Sequence, residues 1–360
     1  MKKALIALAV LGAASGAAMA QSSVTLYGVA DIAIGKTQAG GDHKWGAESN
    51  TNVTNGTSRI GLTGKEDLGG GLWAGFRYEG QVNLANGATD TAVGTWSREA
   101  NVMLGSNQFG MVKLGRSTTP SYDGQGSYEL TGWANYSVVA NTYGWGGYAW
   151  PRQDAQIEYK TPSIYGLSAA LAYVPKADGG LLNNQTNTGG ANRSDRWDLN
   201  VIYAQGPLDV AFTLNKSNKT AISSGGTTVG TPQGNRVNYT LGGSYKFGDM
   251  FALAASWDRT NMAQSWRTGY SDPYGDNSGA GGRLYAKRYG FSLGGSVFLG
   301  AFTVTLDLTR DYKNQLYNGR KYTNGVLEGK YALSKRTFLY ADYLRLDSTN
   351  NYGLGIRHNF

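Results

Sequence analysis

The feature that most constrains this chain is an alternation of apolar and polar residues with a period of two, repeated along almost its whole length. In SVTLYGVADIAIG, Val24, Leu26, Gly28, Ala30, Ile32 and Ile34 share one face, and Thr25, Tyr27, Val29 and Asp31 the other. FTVTLDLTRD sets Phe302, Val304, Leu306 and Leu308 against Thr303, Thr305, Asp307, Thr309 and Asp311. LDVAFTLN and YGFSLGGSVFLG follow the same rule. Successive strand residues point to opposite faces, so this pattern predicts strands with one apolar face. Roughly 16 such segments can be counted, each near the ~10 residues of a tilted membrane-crossing strand. They begin near residues 24, 57, 72, 95, 109, 153, 166, 194, 207, 235, 250, 283, 301, 322, 337 and 351.

Connections between the segments alternate in length. Short turns such as EDLGGG, SNQFG, QGP and FGDM are followed by long polar, Gly-rich stretches such as KADGGLLNNQTNTGGANRSD. That is the layout of a transmembrane β-barrel, with tight turns at one end and loops at the other. A soluble β-sandwich also alternates, and mean hydropathy is negative. Two features favour the barrel. The polar faces carry charges and small residues, as a water-filled interior requires. The chain also finishes on an apolar row, NNYGLGIRHNF, where Phe360 shares parity with Leu354 and Ile356. A last strand that closes against the first leaves no free edge. The 53 Gly, 24 Tyr and 9 Trp with only 7 Pro suit β-structure with rings at a wet interface. The expected fold is all-β: a transmembrane antiparallel barrel of about 16 strands.

MKKALIALAVLGAASGAAMA has two lysines, an apolar stretch and Ala-x-Ala, the pattern of a secretory signal peptide. The expected division is a cleaved signal, 1–20, and a barrel domain, 21–360. Removing Lys2 and Lys3 lowers the net charge from +8 to +6. No run of 18 apolar residues follows, so no transmembrane helix is expected.

Catalytic chemistry finds little support. There is no Cys and there are two His, one of them near the terminus, so zinc and thiol sites are disfavoured and no metal or cofactor is expected. LGGGLWAG joins two strands instead of opening a helix, which is the wrong context for a phosphate loop. No nucleophile has a base at hand. The pI of 9.3 could suggest nucleic acid, but the basic residues alternate toward an interior and are spread along the chain, so nucleic acid is not an expected partner.

VTLYGVADIAI, SRIGLTGKEDLGGGLWAGFRYE, FGMVKLGRSTTPSYD, YALSKRTFLYADY and GLGIRHNF resemble the general porins of Gram-negative outer membranes, especially the beta-proteobacterial and neisserial type. The resemblance spans the whole mature chain. It implies a homotrimer of 16-stranded barrels among outer-membrane lipid and lipopolysaccharide, with passage for small hydrophilic solutes and anions. It also implies that the third extracellular loop folds inward, and that the outer-membrane assembly machinery reads the terminal aromatic, Phe360. The inward loop would be 117–152, the longest stretch without strand alternation, with eight aromatic residues and only Asp123 and Glu129 as acids.

Facing that loop, a basic wall follows from parity. Arg59 and Glu79 each lie ten residues from Gly69, so they are expected opposite each other across a hairpin, both inward, as is Arg77. Lys113 is inward too, and Arg116 ends the fifth strand where the loop begins. Arg98 falls on the lipid-facing parity unless a bulge or strand end intervenes. Related porins commonly carry a basic residue at the inward position of the sixth strand. Here Glu158 stands there, with Lys160 two residues on, which weakens an anion preference. The reading is a passive diffusion channel with moderate anion preference and no enzymatic activity. Its rivals are a substrate-specific porin and a secreted β-rich binding or adhesion protein.

Overall fold

The alternating segments form strands in a computed structural model, which describes residues 23–37, 45–90, 94–145, 151–175, 195–217, 222–224, 227–230, 235–261, 287–314 and 321–360. The expected signal peptide, 1–20, lies outside the described residues, as do 146–150 of the expected loop. Sixteen strands make the wall: β1 (Ser23–Lys36), β2 (Arg59–Gly69), β3 (Leu72–Gln81), β4 (Glu99–Ser106), β5 (Gly110–Thr118), β6 (Arg152–Lys160), β7 (Leu167–Val174), β8 (Arg196–Gln205), β9 (Leu208–Ser217), β10 (Arg236–Phe247), β11 (Phe251–Asn261), β12 (Lys287–Leu299), β13 (Phe302–Asn314), β14 (Tyr322–Ala332), β15 (Thr337–Leu346) and β16 (Thr349–Asn359). Each pairs antiparallel with its sequence neighbours. The ring closes between β1 and β16, in register from Val29↔Asn359 to Lys36↔Tyr352.

β1 serves two partners along its length. Ser23 to Val29 pair with β2, and Val29 to Lys36 pair with β16. The second edge of its upper half is covered by the short strand Gly46–Glu48, which pairs with Ala33 to Gly35. The chain then turns across the polar face of β1, where Gly56 N donates to Asp31 Oδ2 at 2.7 Å and Asp31 N to Ser58 Oγ at 2.9 Å.

The two faces of the sheet are inverted relative to a soluble protein. On one row Ile34, Leu293 and Leu354 are 65%, 60% and 63% exposed. On the other Thr213, Asp258, Thr305 and Glu328 are buried. A continuous apolar band with a polar interior is what hydrocarbon outside and water inside select. Connections are tight at one end, as at 206–207 and 300–301, and mostly long at the other. Asp347 and Ser348 make the one short connection at the long-loop end among the described residues.

The helices α1 (Pro120–Gly126) and α2 (Val138–Tyr143) lie between β5 and β6. Thr119 caps α1 through its side chain to Tyr122 N, with Pro120 in the first turn, and Ser137 caps α2 to Ala140 N. The main apolar cluster forms where Ala134, Tyr136 and Val138 meet Ala33, Tyr322, Val326, Tyr340 and Leu344. Burying a side chain the size of Val138 is worth roughly 1.5–3 kcal/mol, so this contact holds the segment on the wall.

Phe360 continues the closure: its N–H donates to the Gly28 carbonyl and the Gly28 N–H to its carbonyl, both at 3.1 Å. Its ring is on the outward row, 46% exposed, stacked on His358 and lying directly over Gly28. A Cβ at position 28 would overlap that ring. Gly28→Val is therefore expected to lower the temperature at which the folded form converts to the unfolded band in heat-modifiable electrophoresis. Adding Phe360→Ala should recover part of that loss, and a double variant no better than Gly28→Val would exclude the ring as the cause.

An arginine cluster on the polar face

The structure brings several of the expected basic residues together on the polar face, with a membership and register that differ from the sequence reading. Arg59 pairs in register with Gln81, and Glu79 with Gly61, so the two are diagonal neighbours instead of opposite ones. The cause is the turn. A register shift between Asp67 and Gly69 is followed by three glycines in the left-handed region, with φ of 82°, 61° and 81° at Gly69, Gly70 and Gly71. This moves the turn centre by one residue and the pairing by two, which leaves the facing of every side chain unchanged. The ion pair survives: Arg59 Nε lies 3.4 Å from Glu79 Oε2.

Glu79 is the hub. It is buried and accepts from Arg98 Nε at 2.5 Å and from Tyr27 Oη at 3.0 Å, besides pairing with Arg59. Arg98 immediately precedes β4, and its backbone N–H donates to the Glu79 carbonyl at 3.0 Å. It is a strand-end residue that turns inward despite its parity. Arg152, at the start of β6, places Nε 3.8 Å from Glu99 Oε1 and its guanidinium over the Tyr122 ring at 5.5 Å. Neither Arg152 nor Glu99 was singled out in the sequence. Both sit at the loop end of a strand, where alternation gives no signal. Glu99 lies opposite Glu79 in the sheet, and that spacing became visible only with the β3–β4 register. Arg77 is exposed on the same polar row, its guanidinium 5.9 Å from the Tyr27 ring. Among the described residues it makes no ion pair.

Lys113 points inward as expected, but its Nζ is 3.0 Å from Glu158 Oε2, a nearly buried carboxylate that also accepts from Gln156 Nε2 at 2.8 Å. Its charge is locally compensated. Arg116 is a correction. It occupies the outward row of β5 with Val112 and Leu114, opposite Ala100. The irregularity between Gly115 and Ser117, with left-handed backbone at Gly115 (φ 126°) and Ala155 (φ 50°), brings Asp154 beside it. The pair is 2.5 Å long, and Arg116 Nε also donates to the Ser97 carbonyl at 2.6 Å.

The loop acids divide. Asp123 lies in the first turn of α1, half-buried and without an ion pair among the described residues. Glu129 is a second correction. Its carboxylate is buried and folds the chain on itself, accepting from Thr131 Oγ1 at 2.7 and 2.8 Å and from Trp133 N at 2.8 Å. It braces a turn instead of facing the arginines.

The segment carrying these acids touches strands far around the wall. Ser121 donates to Asp198, Gln125 Nε2 to Thr240, and Tyr143 Oη to the carbonyls of Phe291 and Arg310. Thr142 and Thr309 share a hydrogen bond of 2.8 Å. Asn55 Nδ2 donates to Tyr136 Oη at 2.7 Å; burial, and then the nearby Glu328 carboxylate, push that phenol well above its usual range, so it stays neutral.

The profile of the Gram-negative porin family matches residues 7–351. An outer membrane porin of Bordetella pertussis is 30% identical over the full length of both chains. Outer membrane porin protein 32 of Delftia acidovorans is 37% identical over 69% of this chain and 67% of its own. The solved anion-selective porin from Comamonas acidovorans superposes with a TM-score of 0.70 at 26% identity, covering 94% of this chain and all of its own. With a closed sixteen-stranded barrel, an apolar belt and a match over nearly its whole length, the chain belongs to the Gram-negative porin family and is an integral protein of the outer membrane.

Proposed function

We propose that this porin is a general diffusion channel for small hydrophilic solutes and ions, with a moderate preference for anions. The observation that carries the reading is the set of four arginines, Arg59, Arg77, Arg98 and Arg152, grouped on the polar face around two glutamates, Glu79 and Glu99. The excess is positive, and low-dielectric walls focus it on whatever passes. Lys113 adds little because Glu158 compensates it, which keeps the preference moderate. The name of the anion-selective Comamonas acidovorans relative supports the sign. No catalytic step is proposed.

The segment 117–152 is read as the third extracellular loop, folded into the barrel to narrow the passage. Its hydrogen bonds to polar-row residues of β8, β10 and β13, and its apolar contact with β14 and β15, support this. Residues 1–20 are read as a signal removed on export. The mature chain is read as a homotrimer, with Phe360 recognised by the assembly machinery; sequence and family membership support both.

Two measurements test the channel. Deleting Gly124 to Asn141 should raise single-channel conductance in planar bilayers and admit larger sugars. Unchanged conductance in a heat-modifiable variant would place the segment outside the pore.

Reversal potentials across a KCl gradient test the field. The unmodified protein should favour chloride at 0.1 M and less so at 1 M, because the Debye length falls from roughly 10 Å to 3 Å. Arg77→Glu should reduce the chloride-to-potassium permeability ratio by about 2- to 5-fold at low salt, on the scale of ~1 kcal/mol per charge pair in water. Glu79→Gln should raise it. Cation selectivity of the unmodified protein at low salt would refute the proposed role of the arginines.

A further inference from the structure

The described aromatic residues of 117–152 fall into two sets. Tyr128, Tyr136 and Tyr143 are buried against the wall. Tyr128 lies on Gly242, Tyr136 packs on the Tyr340 ring at 6.0 Å, and Tyr143 donates to the Phe291 and Arg310 carbonyls. Tyr122, Trp133 and Trp145 are only half-buried, and they gather on one another. Ring centres are 5.4 Å apart for Tyr122 and Trp133, 6.3 Å for Tyr122 and Trp145, and 5.0 Å for the two indoles. The first set anchors the segment to the strands. The second is drawn from three separate parts of the segment and leaves ring surface uncovered.

The backbone bends to build this second set. Trp133 has φ 61°, a left-handed conformation that bulky side chains rarely adopt, and it follows Gly132 at φ 73°. The buried Glu129 carboxylate holds the turn by accepting from Trp133 N at 2.8 Å. Backbone strain that the surroundings maintain is a common device of ligand sites. The neighbours of the rings say what would cover them. The Arg152 guanidinium lies 5.5 Å from the centre of the Tyr122 ring. Its Nε has no hydrogen-bond partner among the described residues, and its ion pair with Glu99 is 3.8 Å long. Flat apolar rings stack on other rings, and a guanidinium takes a carboxylate in a forked geometry. Asp123, next to Tyr122 in the chain, opposes a second negative charge.

We propose that Tyr122, Trp133 and Trp145 form a platform for small aromatic monocarboxylates, with Arg152 holding the carboxylate. On the reading of 117–152 as folded into the channel, the platform faces the passage, so a bound solute obstructs ions. The obstruction rests on that reading; the contacts between the ligand, the rings and Arg152 do not.

Benzoate is the probe, with acetate, which lacks the ring, and benzyl alcohol, which lacks the charge, for comparison. Ligand-observed NMR on purified, folded protein in detergent reads the affinity. Tyr122→Leu and Trp145→Leu should each weaken benzoate binding about 3- to 10-fold, the scale of one aromatic contact. Arg152→Gln should weaken it about 10-fold and remove the preference for benzoate over benzyl alcohol. Phe109→Leu, in an exposed turn at the opposite end, should leave binding within about 2-fold. Heat-modifiable migration verifies folding, and if one variant does not fold, the others carry the test. In planar bilayers benzoate should reduce the chloride current saturably. Binding without any effect on the current would leave the site standing and refute the placement of 117–152 in the channel. Benzoate binding no tighter than that of acetate or benzyl alcohol, undiminished binding by the folded ring variants, or an equal loss in Phe109→Leu would overturn the proposal.

Discussion

Everything in this molecule depends on the hydrogen bonds between β1 and β16. A sheet in hydrocarbon cannot leave an edge, because each unpaired N–H or carbonyl costs several kcal/mol with no water to replace the partner. The pairing from Val29↔Asn359 to Lys36↔Tyr352 removes both edges at once. Once the ring is closed, the two-residue pleat does the rest, since every strand must send alternate side chains outward to lipid and inward to water. The polar interior is therefore a product of closure, and the arginines have a wet face to occupy only because the backbone is satisfied elsewhere.

Charge on that interior face is set less by the number of basic residues than by which of them are compensated. Lys113 and Glu158 nearly cancel at 3.0 Å. Glu79 holds Arg59 and Arg98 together and takes up part of their field, while Arg77 stays exposed beside the Tyr27 ring, without an ion pair among the described residues. The glutamates let several guanidinium groups share one patch of wall without mutual repulsion prevailing. The same carboxylates offset part of the positive charge that the arginines bring to that face.

Strand number, strand positions and facing were legible in the sequence, because a period of two survives even in Gly-rich segments such as YGFSLGGSVFLG. What was not legible lies where the period ends. Register across the β2–β3 hairpin turned on whether Gly69 or Gly70 is the centre, and glycine, free to adopt either hand, leaves that undetermined in sequence. Arg98 and Arg152 stand at strand ends, where side chains bend toward the nearest carboxylate irrespective of parity. Arg116 was misread because its position at the end of β5 was weighed above its parity, which in fact holds. Glu129 was counted as pore charge because its partners, Thr131 and Trp133, are neutral and local, and nothing in the sequence marks such a self-capping turn.

The segment between β5 and β6 also has a mechanical consequence. Its ends are fixed in one side of the ring, while its middle is pinned to Asn55, Thr240, Thr309 and the Arg310 carbonyl on others. A hollow cylinder squeezed by lateral pressure would ordinarily flatten into an ellipse, and its bore would change with the tension of the surrounding bilayer. Because those partners stand on separate elements, moving them apart must first break several hydrogen bonds together. The spacing of those elements is thereby held by this segment as well as by the sheet itself.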